Sequence, residues 1–294
     1  MSDDDADTLS GLFRTAVRAG QVTKGVDLLR AVAELRPAFH SADELGDDLP
    51  VPVRLAQGPS AARLFCFASP MAMGGTHQYA RLAAHFRGVR EVSALPMPGF
   101  ATGDLLPATA EAVVEVFGRS LLRAAGDEPF VLLGYSAGGV FAHAVAAWLE
   151  SEGCAPAAVV LLDSYRADGG TSMDGDFWVS MVEGLFSREE VFGRFTSARL
   201  SAMGRYARLV GEVKTGEVKA PVLFVRPERS LSASADAGGV GGGDAGAAAA
   251  TDDWRASWDT AETVLEVAGD HFDIIESQAA ATADAVEGWL ADRV

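Results

Sequence analysis

The sequence predicts an α/β fold in which helices cover both faces of a mostly parallel central sheet. The 294 residues are 49% hydrophobic, which is enough to bury a large core. Short runs of valine, leucine and phenylalanine have the length of strands, and segments with apolar residues at helical spacing lie between them. This alternation is typical of parallel sheets, whose strands are apolar because both faces are buried.

The individual elements follow from these patterns in chain order. Apolar runs of four or five residues predict strands at Val51–Leu55, Leu64–Ala68, Glu91–Leu95, Phe130–Gly134, Val159–Leu162, Val222–Val225 and Thr263–Val267. Longer segments with helical spacing predict helices at Gln78–Phe86, Ala108–Ala125, Gly139–Ser151 and Gln278–Leu290.

The charge and cysteine content exclude several classes of function. A formal net charge of −17 and a pI near 4.6 would repel nucleic acids and anionic membranes, so neither is expected as a partner. Two cysteines without a Cys-x-x-Cys spacing predict neither a disulfide framework nor a metal site. The start, MSDDDADTLS, is unlike a signal peptide, and no apolar run approaches the roughly 20 residues of a membrane span. We therefore expect a soluble, cytoplasmic protein.

Two amphipathic helices are predicted before the first strand. Apolar residues recur at helical spacing in residues 9–17 and 26–35, after an acidic start. Their apolar stripes must be covered either by the rest of the chain or by a second copy of it, and the residues alone leave both possibilities open. We expect a division into residues 1–40, which hold the acidic tail and the two helices, and residues 41–294, which hold the main α/β domain.

Two segments interrupt the α/β pattern. No strand is predicted between Leu162 and Val222, where aromatic residues and methionines recur at helical spacing. We interpret residues 165–219 as a helical insertion, which either covers a site as a lid or only packs on the core. Residues 229–251 are rich in glycine, alanine and serine and predict a flexible surface loop inside the domain.

One motif carries chemistry. Gly134-Tyr135-Ser136-Ala137-Gly138 fits the pattern Gly-x-Ser-x-Gly, with an apolar strand before it and a helical pattern after it. Such a strand-to-helix turn holds its serine in a strained conformation above the edge of the sheet, and its glycines avoid collisions with neighbouring elements. The motif and its context predict that Ser136 is a nucleophile.

A serine nucleophile needs a base and an acid that orients the base, and on this arrangement the chain order is serine, acid, histidine. Asp163 directly follows an aliphatic strand, and His271 follows the last strand and a glycine turn, so these two are the predicted acid and base. Asp270 is the alternative acid if Asp163 fails. His77 is a weaker candidate for the site because it lies in the loop after an early strand.

Two backbone N–H groups are expected to form an oxyanion hole. One is that of Ala137, directly after the nucleophile. The other comes from the loop at residues 68–76, where Met71 is the better candidate because Pro70 has no N–H group. The glycine pair at 74–75 would let this backbone approach the serine.

The chain resembles the terminal thioesterase domain of modular type I polyketide synthases, which has an α/β-hydrolase fold. The resemblance covers nearly the whole chain. It rests on Gly-Tyr-Ser-Ala-Gly-Gly at 134–139, Leu-Leu-Asp-Ser-Tyr at 161–165, Ser-Pro-Met-Ala-Met-Gly-Gly-Thr-His-Gln-Tyr-Ala-Arg-Leu-Ala at 69–83, Pro-Gly-Phe at 98–100, Ala-Met-Gly-Arg-Tyr at 202–206 and Gly-Asp-His-Phe at 269–272.

The resemblance implies a chain-releasing enzyme without a cofactor of its own. A polyketide acyl chain would arrive as a thioester on the phosphopantetheine arm of an acyl carrier protein, pass to Ser136, and leave as a macrolactone or a free acid. It also implies a homodimer through the two leading helices, a lid at 165–219, and substrate contacts at Tyr165, Met73 and Tyr135. Two departures are the proline at position 70, where some members use the N–H group, and the long loop at 229–251.

Several alternatives remain open from the sequence. A discrete carboxylesterase, an editing (type II) thioesterase and a peptide-synthetase thioesterase would use the same three residues, and a hydrolase fold kept only as a binding module would not use them. Arg199, Arg205 and Arg208 recur at about helical spacing in the insertion. They predict either a solvated helix face or a docking surface for an acidic carrier protein.

Overall fold

The computed structural model describes residues 6–165, 181–182, 195–229 and 257–294. Its described strands, in chain order, are β1 (Ala38–Phe39), β2 (Val53–Ala56), β3 (Arg63–Phe67), β4 (Val92–Leu95), β5 (Leu106–Pro107), β6 (Phe130–Tyr135), β7 (Ala158–Leu162), β8 (Val222–Pro227) and β9 (Thr263–Val267). The described α-helices are α1 (Leu9–Arg18), α2 (Val22–Ala33), α3 (Ala80–His85), α4 (Ala110–Ala125), α5 (Ala137–Ser151), α6 (Ser197–Glu212) and α7 (Ala279–Ala291).

A mostly parallel sheet forms the centre of the molecule, as predicted. Seven strands pair in the order β2-β4-β3-β6-β7-β8-β9, and only β2 runs antiparallel to its neighbour within this described sheet. All seven predicted strands and all four predicted helices of the main domain are present, each within two residues of its expected ends. The sequence patterns did not predict β1 and β5, which form a separate pair of only two residues each.

The two faces of the sheet are covered by different helices. Along β3, Phe65 and Phe67 pack on one face with α4, α5 and α6, whereas Leu64 and Cys66 pack on the other face with α3 and α7. This separation follows from the two-residue period of a strand, which sends successive side chains to opposite faces. The carboxyl ends of the parallel strands therefore meet at one edge between the two helical layers.

The two N-terminal helices pack on α6 of the same chain. Phe13, Val26 and Leu29 are buried in a cluster with residues of α6. The crossing of α2 and α6 is so close that a Cβ atom at Gly204 would lie 2.4 Å from the carbonyl oxygen of Leu29. The chain itself thus covers much of the apolar stripe, while Leu12 keeps 46% of its surface exposed.

The three arginines of α6 differ in exposure and do not share one solvated face. Arg205 is 5% exposed and donates to the carbonyl of Ala33 over 3.1 Å. Arg208 donates to the carbonyl of Ala108 over 3.1 Å, and Arg199 donates to two carbonyls of the loop after β3. Arg199 and Arg205 thus connect α6 to the rest of the fold, whereas Arg208 keeps 42% of its side chain exposed and pairs with Glu212 of the same helix. Docking of a carrier protein stays a prediction.

Parts of two predicted segments lie outside the described residues. These are residues 166–180 and 183–194 of the expected insertion, and residues 230–251 of the expected loop. In the remainder of the insertion, residues 195–219 include α6 and contain no strand. Within the described ranges, no helix is long and apolar enough to cross a bilayer.

Candidate active site

Ser136 lies on a sharp turn between β6 and α5. Its φ and ψ angles are 56° and −135°, and its N–H group donates to the carbonyl of Leu162 in β7 over 2.9 Å. Among the described residues other than glycine, positive φ angles occur only at Ser136 and at Asp163, where φ is 39°. A side chain in this conformation costs free energy, which the surrounding packing must supply. The fold thus holds two of the predicted site residues in strained positions at the ends of neighbouring strands.

Two glycines of the motif make this turn possible. A Cβ atom at Gly134 would lie 2.3 Å from the Cα atom of Gly139, and one at Gly138 would lie 2.4 Å from the carbonyl oxygen of Phe67. Both clashes are with backbone, which cannot rotate away as a side chain can. The first turn of α5 therefore packs directly on β6 and β3, as the sequence predicts.

Asp163 and His271 meet at the same edge of the sheet. Asp163 follows β7 and is fully buried, and its N–H group donates to the carbonyl of Val225 in β8 over 2.8 Å. His271 follows β9 and is 1% exposed. Its Nδ1 atom lies 2.7 Å from Oδ2 of Asp163. Because the carboxylate accepts from Nδ1–H, the network assigns the tautomer whose Nε2 can accept a proton.

The Nε2 atom of His271 accepts no hydrogen bond from the described residues. It is buried, and the hydrogen bond from the Ser136 hydroxyl is not formed in this geometry. Ser136 and His271 nevertheless line the same cavity of about 420 Å³. Hydrogen bonds between catalytic groups are often long in free enzymes and shorten when substrate binds.

Asp270, the alternative acid, faces another way. Its Oδ1 atom accepts from the N–H groups of Phe272 over 3.0 Å and of Asp273 over 3.2 Å. These contacts belong to the turn that follows the histidine. The structure thus brings the imidazole of His271 to Asp163.

Two tyrosines hold His271 and Asp163 in place. Tyr135 stacks on the His271 ring at a centroid distance of 4.8 Å, and its hydroxyl donates to the His271 carbonyl over 2.8 Å. The hydroxyl of Tyr165 lies 3.4 Å from Oδ2 of Asp163. Burial, reinforced by the negative charge of Asp163, raises the pKa of Tyr165, so its phenol remains a neutral donor.

A third tyrosine, Tyr79, was not predicted as part of the site. Its hydroxyl donates to the carbonyl of Phe67 over 2.6 Å and accepts from the N–H group of Tyr135 over 3.1 Å. It therefore joins the end of β3 to the end of β6 just before the strained serine. The only signal in the sequence was its place in the 69–83 stretch that carries the resemblance.

Ala137 and the loop after β3 offer N–H groups near the serine. Ala137 is the first residue of α5, where N–H groups have no partner within the helix. In the loop, the N–H groups of Ser69 and Gly75 both donate to Oε1 of Gln78 over 3.3 Å.

This arrangement leaves a short stretch of the loop unengaged. The N–H group of Gly74 donates to the carbonyl of Met71 over 2.8 Å. Within the described part of the chain, the N–H groups of Met71, Ala72 and Met73 have no hydrogen-bond partner. The predicted donor Met71 thus belongs to a group of three neighbouring candidates.

Ser136 lies between two cavities. The larger one is lined by apolar residues such as Met71 and Met73 and also by His77, Arg81 and Glu276, so the weaker candidate His77 lies on its wall. The smaller one, of about 20 Å³, has walls that include residues of α6. The predicted substrate contacts are divided between them, with Met73 and Tyr135 on the larger cavity and Tyr165 on the smaller one.

Comparison with known proteins shows the family of this chain. Residues 62–290 match the family model of the thioesterase domain. The chain belongs to the thioesterase domain family. The matched range includes the serine turn, the loop after β3 and the Asp163–His271 pair.

Similar curated proteins are polyketide synthases. The thioesterase domain is 39% identical to polyketide synthase GfsE of Streptomyces halstedii, 33% to erythronolide synthase EryA3 of Saccharopolyspora erythraea and 35% to the spectinabilin polyketide synthase system protein NorC of Streptomyces orinoci. These matches cover 97%, 95% and 96% of the chain. The chain spans only 7%, 8% and 12% of the respective synthases.

Solved structures show the same fold at low sequence identity. The surfactin thioesterase domain SrfTE superposes with a TM-score of 0.58 at 19% identity, over 83% of this chain and 97% of that one. The NocB thioesterase domain of the nocardicin cluster gives 0.58 at 18% identity, over 82% and 99%. The α/β-hydrolase expectation is thereby confirmed at the level of the fold.

Proposed function

We propose that the thioesterase domain releases a polyketide acyl chain from the phosphopantetheine thioester of an acyl carrier protein, with Ser136, His271 and Asp163 as the catalytic triad. The observation that carries the proposal is the buried 2.7 Å contact between His271 and Asp163 at the cavity that also holds Ser136. Its substrate class is supported by the polyketide synthases to which the chain is similar over nearly its whole length.

In the first half-reaction, Nε2 of His271 takes the proton of the Ser136 hydroxyl. The serine oxygen attacks the thioester carbonyl carbon, and the tetrahedral oxyanion accepts hydrogen bonds from the N–H groups of Ala137 and Met71. The C–S bond then breaks, and the departing thiolate takes the proton from the imidazolium. Asp163 stabilises that imidazolium through Nδ1–H. The product is an acyl ester on Ser136.

In the second half-reaction, His271 removes a proton from a nucleophile that attacks this ester. The nucleophile is either a hydroxyl of the same acyl chain, which gives a macrolactone, or water, which gives a free acid. The ester C–O bond breaks and the proton returns to the Ser136 oxygen. Met73, Tyr135 and Tyr165 contact the acyl chain in this proposal, because they line the two cavities beside the serine.

The same proposal assigns roles to the outer segments. Residues 1–40 serve as a dimerisation unit beside the thioesterase core at 41–294, and the described part of the insertion at 165–219 serves as a lid over the site. Tyr206 and Val210 of α6 line the smaller cavity, which supports the lid role. The exposed Leu12 and Leu35 (46% and 84%) leave apolar surface for a second copy. Sedimentation velocity of Leu12→Glu and Leu35→Glu variants, compared with the unmodified chain, tests the dimer.

A discrete carboxylesterase or an editing thioesterase is not favoured. Each would share the triad, but the similar proteins are synthases that the chain matches over at least 95% of its own length. Turnover of an acyl thioester and of the matching oxygen ester would separate a thioesterase from a carboxylesterase.

The central experiment follows a linear hydroxyacyl N-acetylcysteamine thioester by mass spectrometry. The unmodified chain should form an acyl adduct on Ser136 and release a lactone or an acid, and a carrier-protein thioester should react in the same way. Ser136→Ala should form no adduct. Normal turnover by Ser136→Ala would contradict the proposed mechanism.

A further inference from the structure

Arg199 is hydrogen-bonded to the loop after β3, which carries the unengaged N–H groups of residues 71–73. It lies in the first turn of α6, with Thr196 as the N-cap residue. Its Nε atom donates to the carbonyl of Ala72, and its Nη2 atom donates to the carbonyl of Gly74. The guanidinium carbon also lies 5.5 Å from the centre of the Phe100 ring. The side chain thus spans from the predicted lid helix to the loop after β3.

These two contacts control the orientation of peptide groups. A trans peptide is planar, and its C=O and N–H bonds point in opposite directions. When Arg199 holds the Ala72 carbonyl, the N–H group of Met73 in the same peptide must point away from Arg199. Arg199 also holds the Gly74 carbonyl, while Gln78 accepts from the N–H group of Gly75 at the other end of that peptide.

The contacts set the direction of one of the three unengaged N–H groups, that of Met73, and restrain the segment that carries the other two. The peptide between Gly74 and Gly75 is held at both ends, and the peptide between Ala72 and Met73 is held only at its oxygen. Two of the residues that carry free N–H groups, Met71 and Met73, also line the cavity that holds Ser136. Rotation of either held peptide would break a contact with Arg199.

Arg199 forms no ion pair with any described residue. The Nε and Nη2 atoms of its guanidinium donate to backbone carbonyls instead. Burial lowers the pKa of its guanidinium, although an arginine remains charged at physiological pH. Lysine could not replace it fully, because one ammonium group cannot reproduce the fixed spacing of Nε and Nη2.

We propose that Arg199 is a positioning residue that fixes the loop after β3 so that its free N–H groups stabilise the oxyanion formed at Ser136. This inference rests on the proposed function, because it concerns the tetrahedral intermediate of that reaction. Arg199 does not touch the substrate and acts through the loop. It couples α6 to the step in which negative charge develops.

The test compares Arg199→Met and Arg199→Lys with the unmodified chain. With an acyl N-acetylcysteamine thioester, kcat should fall about 10- to 100-fold in Arg199→Met. The reason is that a small displacement of an oxyanion donor lowers the rate by about 100-fold. Arg199→Lys should retain more activity, and KM should change less than about twofold in both.

A pair of inhibitors separates positioning from a general loss of structure. A trifluoromethyl ketone with the acyl chain of the substrate forms a charged tetrahedral adduct on a serine, whereas the matching methyl ketone binds mainly as the neutral ketone. Affinity for the first should fall by the same factor as kcat/KM, and affinity for the second should not change. Arg208→Met is the matched control, since Arg208 lies on the same helix and contacts Ala108 and Glu212 instead.

The outcomes are distinct. If the ratio of the two inhibitor affinities is unchanged in Arg199→Met, Arg199 has only a structural role and the inference is overturned. Arg199→Lys serves the same comparison if Arg199→Met does not fold. Equal effects in Arg208→Met would overturn it as well. Failure of a fluorophosphonate to label Ser136 in the unmodified chain would instead overturn the proposed function, and this inference with it.

Discussion

The two regions that face Ser136 are built in different ways. The turn between β6 and α5 is held by backbone packing, because Gly134 and Gly138 leave no room for a Cβ atom. The loop after β3 is held by side chains. Gln78 accepts hydrogen bonds from two of its N–H groups, and Arg199 donates hydrogen bonds to two of its carbonyls.

The two kinds of support differ in how well a sequence predicts them. A backbone-built turn needs glycine at fixed spacing, so a short motif reveals it. A side-chain-built loop depends on residues of distant elements, such as α6, that reach it only after folding.

Asp163→Asn should give the largest loss of activity. Asparagine has nearly the same shape, but its amide favours the wrong imidazole tautomer, so kcat should fall by about 10⁴-fold. Stopped-flow or steady-state turnover of an acyl thioester measures this effect. Asp270→Asn is the control, because Asp270 contacts the turn at 272–273 and should alter kcat less than about threefold. The reverse order of effects would make Asp270 the acid.

Gly138→Ala tests the backbone-built turn directly. The new Cβ atom would meet the carbonyl oxygen of Phe67, and overpacking of this kind costs about 1–3 kcal/mol of unfolding free energy. Gly288→Ala is a matched control in α7, because nothing lies within 4 Å of its added Cβ atom. It should stabilise the protein by about 0.5–1 kcal/mol. Urea denaturation measures both, and equal stability of the two variants would refute the packing argument.

The site residues that could be predicted lie where backbone rules decide the position. Ser136, Asp163 and His271 each follow a strand of the parallel sheet, and the carboxyl ends of such strands meet at one edge. The order of these residues along the chain then predicts which is the nucleophile, which the acid and which the base. Strand and helix bounds were predictable for the same reason, since periodicity reflects which face is buried.

The parts that could not be predicted depend on contacts between distant elements. Arg199 has the periodicity of an exposed helix face, yet its partners lie in the loop after β3. Tyr79 reads as an ordinary apolar residue of a helix start, and its two partners lie in β3 and β6. The strands β1 and β5 are too short to produce a pattern.

Tyr79→Phe tests a side-chain support of the serine turn. It removes a hydroxyl that serves the Phe67 carbonyl and the Tyr135 N–H group, and both would remain buried without that partner. The unfolding free energy should fall by about 1–3 kcal/mol. Tyr206→Phe loses a single hydrogen bond, to the Pro98 carbonyl over 3.1 Å, and should cost less. If the two variants are equally stable, the double role of Tyr79 is wrong.

Tyr165→Phe should have the smallest effect on activity. The hydroxyl of Tyr165 is 3.4 Å from Oδ2 of Asp163, a long hydrogen bond, whereas the 2.7 Å contact to His271 holds the carboxylate more closely. We expect kcat to fall less than about threefold. A loss comparable to that of Asp163→Asn would mean that Tyr165 takes part in catalysis.

The effect of pH on stability gives a sharper measurement of the same side chain. Because burial and the Asp163 charge raise the pKa of Tyr165 in the folded state, the folded protein keeps the phenol proton more firmly than the unfolded chain does. The resulting stabilisation is fully present below the unfolded pKa of about 10 and is lost as the pH rises above it. In urea titrations from pH 8 to pH 11, the unmodified chain should therefore lose stability more steeply than Tyr165→Phe. Parallel curves would show that the phenol is not held in its neutral form by this environment.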